Sequence, residues 1–191
     1  MKRILVSLTA AALALTSAVS LAGCGSNESS SAKDASSSSS AASSKVEEST
    51  SSAASITADD VKFTYNGATV ELNSEASSAI EALGDYLDVS SELSCHGKGE
   101  DMTYTYDGFT VTSYPDSNGV NRVLEILINT EGKPTNKGIR VGSSVSDVVA
   151  AYGNGYKEIG VYYAYDAGGK KSLQFYIEND TVKEIDYYYN V

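Results

Sequence analysis

The sequence predicts an α+β fold made of two tandem units. In each, a short helix leads into an antiparallel meander of three or four strands, and the helices pack on one face of the sheet. Three observations predict it. Two short stretches carry apolar residues at helical spacing and stop at glycine, alternating β-rich runs broken by turn residues follow each stretch, and these runs align between the two halves.

In chain order, the first element is a leader. Lys2 and Arg3 precede an apolar run over residues 4–19, and small residues follow up to Gly23, the order of a secretory signal. A transmembrane helix is the competing reading. It fits less well, because the run is rich in Ala, Ser and Thr and passes into a polar tail without a basic flank. The segment Leu21-Ala22-Gly23-Cys24 resembles the lipobox of bacterial lipoproteins. That resemblance implies cleavage after residue 23 and a diacylglyceryl group on the Cys24 sulfur, which would hold the protein on the extracytoplasmic face of the cell membrane. Two acyl chains anchor firmly where one does so only marginally.

Residues 25–55 contain 15 Ser among 31 positions, the rest being mostly Ala, Glu, Lys and Asp. Such a composition cannot build a core. With the lipidated cysteine it makes a tether, residues 24–55, spanning roughly 30 Å as a flexible coil. The remainder, residues 56–191, is long enough for one core, with repeats at about 61–130 and 136–191.

Within the first repeat an Asn66-Gly67 hairpin comes first. Ala76, Ala79, Ile80 and Leu83 then fall at i, i+3, i+4 and i+7, with Ser74 to start the helix and Gly84 to end it. Tyr104-Thr105-Tyr106 before Asp107-Gly108, and Asn118-Gly119 before a long apolar run, mark the meander. Residues 130–137, with Gly132 and Pro134, form the seam. The second repeat copies the pattern with Val145, Val148, Val149 and Tyr152, a start at Ser143 or Ser144, an approximate capping box to Asp147, and a stop at Gly153. Tyr163-Ala164-Tyr165 before residues 166–169, and Asn179-Asp180 before residues 181–189, complete the match.

Alternation sorts the strands of the second repeat into faces. Val161, Tyr163, Tyr165, Leu173, Phe175, Ile177, Ile185, Tyr187 and Tyr189 share the side expected to take the helix. Tyr162, Tyr176 and Tyr188 point the other way, one from each of three neighbouring strands, as a stripe on an open face. Tyrosine presents a large amphipathic surface at small entropic cost, which suits binding. Its competing use is cross-strand support. In the first repeat Val123 and Leu127 both break the alternation, which predicts a strand covered on both faces.

Composition limits the partners. Loss of Lys2 and Arg3 with the leader leaves twelve cations against 25 anions, a formal charge of −13. Nucleic acid and anionic lipid are poor partners for that surface, so the acyl group and not the protein surface makes the membrane contact. Cys24 is used by the lipid, which leaves Cys95 as a single thiol and no disulfide framework. All 14 Tyr lie at or after Tyr65 and there is no Trp, a composition suited to sheet.

For catalysis the sequence offers little. Cys95 and His96 are the nearest approach to a nucleophile with its base, but neighbours on an extended chain face opposite ways. They also fall short of a zinc site. They sit in an insertion, since 22 residues separate Gly84 from Tyr106 where 12 separate Gly153 from Tyr165. A connecting loop with a buried thiol is the plain expectation, and a partner-contact loop the functional one. The acidic residues Asp85, Asp88, Glu92, Glu100 and Asp101 lack calcium-loop rhythm, and Asp116-Ser117-Asn118-Gly119 reads as a turn. No cofactor, metal or catalytic residue is expected.

Residues 138–145 running on to Ala151-Tyr152-Gly153, within this helix-plus-meander tandem, resemble the β-lactamase-inhibitor-protein-like domains. They are also similar to the small lipoproteins of the outer-membrane assembly machinery. The resemblance implies a protein-binding module more than any particular target. The expectation is a non-catalytic, lipid-anchored envelope protein that binds a protein through its open sheet face. The alternative is a solute- or glycan-binding lipoprotein with a tyrosine-lined site.

Overall fold

The computed structural model describes residues 54–191. The leader, Cys24 and nearly all of the tether lie outside the described residues. The architecture is α+β, mostly antiparallel sheet with two helices. After a 3-10 turn at Ala58–Val61 come β1 (Lys62–Tyr65), β2 (Ala68–Glu71), α1 (Ala76–Leu83), β3 (Asp88–Leu93), β4 (Glu100–Tyr106), β5 (Phe109–Pro115) and β6 (Asn121–Ile128). Then follow α2 (Val145–Tyr152), β7 (Lys157–Ile159), β8 (Tyr162–Gly168), β9 (Lys171–Glu178) and β10 (Thr181–Tyr189). Among the described residues no helix is long and apolar enough to cross a membrane.

β1 and β2 form a hairpin through Asn66 and Gly67, both at positive φ (48° and 86°) as the sequence signal requires. The other eight strands make one sheet in the order β3-β4-β5-β6-β10-β9-β8-β7. Its centre is the antiparallel pair β6 and β10, in which Ile128 faces Ile185, Leu127 faces Asp186, Ile126 faces Tyr187 and Glu125 faces Tyr188. Ahead of each helix the chain joins the start of one of these central strands. Asn73 N–H donates to the Val123 carbonyl at 2.7 Å and Val123 N–H to Ser74 at 2.9 Å; Gly142 N–H donates to Val182 at 2.8 Å and Val182 N–H to Ser143 at 2.9 Å.

That junction changes one expectation about the helix starts. Ser144 caps α2 as expected, its Oγ accepting from the Asp147 N–H while the Asp147 carboxylate accepts from the Ser144 N–H. In α1 the cap is Glu75, without a side-chain cap bond. Ser74 is held by Val123 and turns its hydroxyl to the Glu71 carbonyl at 2.7 Å. Both helices end on glycine. Gly84 (φ 82°, ψ −153°) and Gly153 (φ 81°, ψ −174°) do not take the left-handed helical well, but an extended positive-φ conformation that only glycine enters without strain.

One buried cluster draws on every element but the edge strands β3 and β7. Alternate sheet residues, including Phe109, Val111, Ile126, Ile128, Leu173, Phe175, Ile185 and Tyr187, meet Ala76, Ala79 and Leu83 of α1 and Val148 and Tyr152 of α2. Each large apolar side chain so buried contributes about 1.5–3 kcal/mol. Phe63 of β1 reaches the centre, its ring 4.9 Å from Phe109 and 5.8 Å from Tyr187. Two of the core tyrosine hydroxyls find partners at the margin: Tyr152 donates to Thr135 Oγ1 at 2.7 Å and Tyr165 to the Gly153 carbonyl at 2.8 Å.

Two side chains fall elsewhere than alternation predicts. Val161 is 52% exposed, because it sits in the turn between β7 and β8. Val123 returns to the core through a bulge: Thr112 pairs with Glu125 but Ser113 pairs with Val123, so Leu124 is the extra residue. β6 is therefore a central strand with Leu127 half-buried on its far side, and the double coverage expected of it is not needed to explain Val123.

Both sheet edges are open. Every residue of β3 and β7 is exposed, and Leu87 just before β3 and Leu93 at its end are 75% and 86% exposed. An apolar edge is a template for further strand pairing, and Asp88 and Glu92 are the charges that oppose it. Two predictions follow from these backbone constraints. A Cβ on Gly84 meets nothing within 4 Å, so Gly84→Ala isolates backbone strain and should cost about 1–3 kcal/mol in urea unfolding. Replacing Asp88 and Glu92 together by Thr should strengthen self-association in analytical ultracentrifugation, while Glu131→Thr, outside both edge strands, should not.

Candidate binding face

Strand pairing carries the open-face residues into three rows. Glu184 of β10 faces Tyr176 of β9, which faces Tyr162 of β8. Next, Leu127 faces Asp186, then Gln174 and Ala164; in the third row Glu125 faces Tyr188, then Ser172 and Asp166. All alternate with core residues, so they occupy the side of the sheet turned away from the buried cluster.

The expected tyrosine stripe is therefore broken. Tyr162 and Tyr176 do meet, with ring centroids 5.6 Å apart at 46°. Tyr188 stands opposite Ser172, four residues along from the Tyr176 level, or about 13 Å at the strand rise. The reason is register. Alternation gives the side a residue faces but not its level along the strand, and the β9–β10 pairing sets Glu184 opposite Tyr176 and Tyr188 opposite Ser172.

Between the two tyrosine positions lie carboxyl groups that the sequence reading did not single out. Asp186 is only 7% exposed, and its Oδ1 has no hydrogen-bond partner. Burial first, then the negative charges of Glu125 and Glu184, push the Asp186 carboxyl up to about 8. Burial and Glu184 likewise raise the Glu125 carboxyl, against a hydrogen bond from Thr112 that lowers it. Among the described residues none of these carboxylates has a cationic partner within salt-bridge distance. Burial followed by the same three acids raises the Tyr162 phenol. The available signal was the alternation in Glu184-Ile185-Asp186-Tyr187, which already turns both acids away from the core.

The Cys95 loop comes to this face. Cys95 is exposed, which corrects the expectation of a buried thiol. It approaches Tyr188 closely enough to oppose ionisation of the phenol, after burial, Glu125 and Asp186. Gly97 presses on the end of β5, where a Cβ would run into the Pro115 carbonyl. His96 packs edge-on against Tyr114 with centroids 5.7 Å apart, and its backbone N–H binds Ser94 Oγ. No hydrogen bond joins Cys95 to His96 among the described residues, so the pair lacks the contact that a thiol and its base require. The insertion is thus a longer β3–β4 hairpin with its loop folded back. No three His, Cys, Asp or Glu among the described residues are grouped to hold a metal.

Two hollows adjoin the face. One, of about 550 Å³, is lined by Lys157, Asp166, Ser172, Gln174, Tyr188 and Asn190 among others. The second, of about 590 Å³, lies between the Cys95 loop, at His96 and Lys98, and the turn from Asp116 to Gly119.

The raised Asp186 group has a defined pH signature. Its folded value, about 8, exceeds the ordinary 3.8, so the folded state holds the proton more tightly. Its contribution to stability is then fully present below about pH 4 and is lost progressively up to about pH 8. Urea unfolding at pH 5 and pH 8 should show the wild type weakening over that range, and Asp186→Asn should reduce the slope.

No family model, no curated protein and no solved structure matches this chain.

Proposed function

We propose that this chain is a lipid-anchored, non-catalytic binding module of the cell envelope, with Cys24 as the lipid site, that holds a protein partner on its open sheet face. The reading rests on one observation above others: an eight-stranded sheet buries one set of alternate residues against helices and a hairpin, while the opposite set carries Tyr162, Tyr176, Tyr188 and the buried Asp186 carboxyl, whose Oδ1 has no partner. A face without a function has no need to keep an unpartnered Asp186 under cover, since such a group weakens folding.

The domain reads as one helix-plus-meander unit used twice, with both helices on the core face of the sheet. Support comes from the mirrored strand order around β6 and β10 and from the matched junctions at Ser74 and Ser143. This is the arrangement that the likeness to β-lactamase-inhibitor-protein-like domains implies. The leader and the Ser-rich segment place the module outside the cytoplasmic membrane on a long tether, and they argue for binding near the membrane without fixed orientation.

A second reading, a site for a glycan or other small solute, has one specific observation behind it. The hollow beside Tyr188 has the volume of a ligand site and polar groups in its lining.

Photocrosslinking on intact cells separates these readings. A crosslinker at Ser172 on the open face should capture one discrete protein, while one at Ser146 on α2 should not. Changing Tyr162, Tyr176 and Tyr188 together to Ser should abolish the capture. Unchanged capture by a variant with unchanged folding would sink the proposal; saturable glycan binding lost with Tyr188→Ser alone would favour the second reading.

A further inference from the structure

Resting on the open-face reading, we infer that the face recognises a positively charged group, an ammonium or guanidinium, seated over Asp186 between Glu125 and Glu184 and walled by Tyr162, Tyr176 and Tyr188. Three independent features converge on that chemistry. The first is the acidic cluster, which strand register brings together from β6 and β10. The second is an orphaned acceptor at its floor: Asp186 is 7% exposed, on the side of β10 opposite Ile185 and Tyr187, and its Oδ1 meets no donor. The third is aromatic, because Tyr162 and Tyr176 lie at 46° with centroids 5.6 Å apart, and such faces attract cations through their quadrupoles.

The surrounding groups leave that role open. Gln174 flanks Asp186 on β9, but its amide donates to Ser172 Oγ at 3.0 Å. Thr112 of β5 is engaged with Glu125. Lys157 is on the same face at the edge, opposite Ala164, so two strands separate it from β10. Asp166 in the third row adds negative charge, and the Cys95 loop comes near enough to Tyr188 to act on its phenol. Glu125 and Glu184 are half-exposed and meet an arriving cation first.

Binding has a proton balance. With the face empty, Asp186 is a neutral carboxylic acid at pH 7, because burial and its two acidic neighbours raise it. A seated cation stabilises the carboxylate instead. The acid loses its proton to the buffer, and no other bond is made or broken. Affinity for a cation should therefore increase as pH rises from 6 to 9 and then level off.

The test uses the full chain with its own lipid anchor in nonionic detergent. Calorimetry and NMR titration are run with N-acetyl-arginine methylamide and N-acetyl-lysine methylamide as mimics of a protein side chain, and with spermidine as a free amine. At least one probe should saturate, should shift resonances of Tyr162, Tyr176 and Asp186, and should release a proton detectable as a dependence of heat on buffer ionisation at pH 7. Asp186→Asn should lower affinity tenfold or more and remove both the proton release and the pH dependence. Glu158→Gln, which deletes the same charge outside the face, should leave all three. Saturation by the side-chain mimics identifies a basic protein segment as the source, and saturation by spermidine alone a small amine.

No saturable binding by any probe, or equal loss in Asp186→Asn and Glu158→Gln, would overturn the inference. Capture from Ser172 separates the two levels of the argument. If it survives in Asp186→Asn and the probes fail, the protein-binding face stands and only the cation seat falls. If capture from Ser172 also persists unchanged when Tyr162, Tyr176 and Tyr188 are together changed to Ser in a protein that still folds, both fall.

Discussion

Everything in this domain depends on the pairing of β6 with β10. Neither strand lies at the end of its own meander by accident, because each is also the strand that the chain before a helix attaches to, through Val123 in one case and Val182 in the other. Their union turns two four-stranded ribbons, each marginal alone, into one sheet with a continuous core. It also fixes the neighbours on the open face. Leu127 against Asp186 and Glu125 against Tyr188 are consequences of that register, and a one-residue slip would exchange them for Ile126, Ile128 and Tyr187.

Around that seam the core is closed mainly by aromatic rings. Phe63 from the hairpin packs its ring within 6 Å of both Phe109 from β5 and Tyr187 from β10. Tyrosine at such positions brings a hydroxyl that must be satisfied. Tyr152 uses it to pin the seam at Thr135, and Tyr165 to hold the carbonyl where α2 ends. Lys137 adds a further tie. Its ammonium lies 3.2 Å from the buried Asp60 carboxylate and 4.7 Å from the Tyr152 ring, fastening the connection between the halves to the turn that precedes β1.

The two sides of the sheet have opposite physical character. On the core side every large group is apolar or has its hydroxyl placed at a margin, Tyr106 excepted. On the other side the central strands carry acids that are partly withdrawn from water yet lack counter-charges. Burial without a partner costs stability, and the protein meets that cost by holding a proton on Asp186 instead of a charge. A face arranged in this way is poised to exchange a proton for a cation, which a fully solvated acidic surface is not.

Much of the fold was legible in the sequence because its signals are local. Apolar spacing and the stops at Gly84 and Gly153 marked both helices, and Asn66-Gly67, Asn118-Gly119 and Asn179-Asp180 marked the turns, since helix period and turn chemistry act over a few residues. Alternation also assigned Tyr162, Tyr176 and Tyr188 to one side correctly. What it could not assign was their spacing. The bulges at Leu124 and after Val182 carry no sequence signature: the first returned Val123 to the core, and the β9–β10 pairing set Tyr188 opposite Ser172, well along the strand from the other two. Likewise no local rule brings Glu125 of β6 onto one face with the acids of β10, or carries the Cys95 loop toward Tyr188. The sequence determined which residues turn outward, because side-chain direction follows the pleat. Only the tertiary structure decided which of them meet, because that depends on pairing between strands distant in the chain.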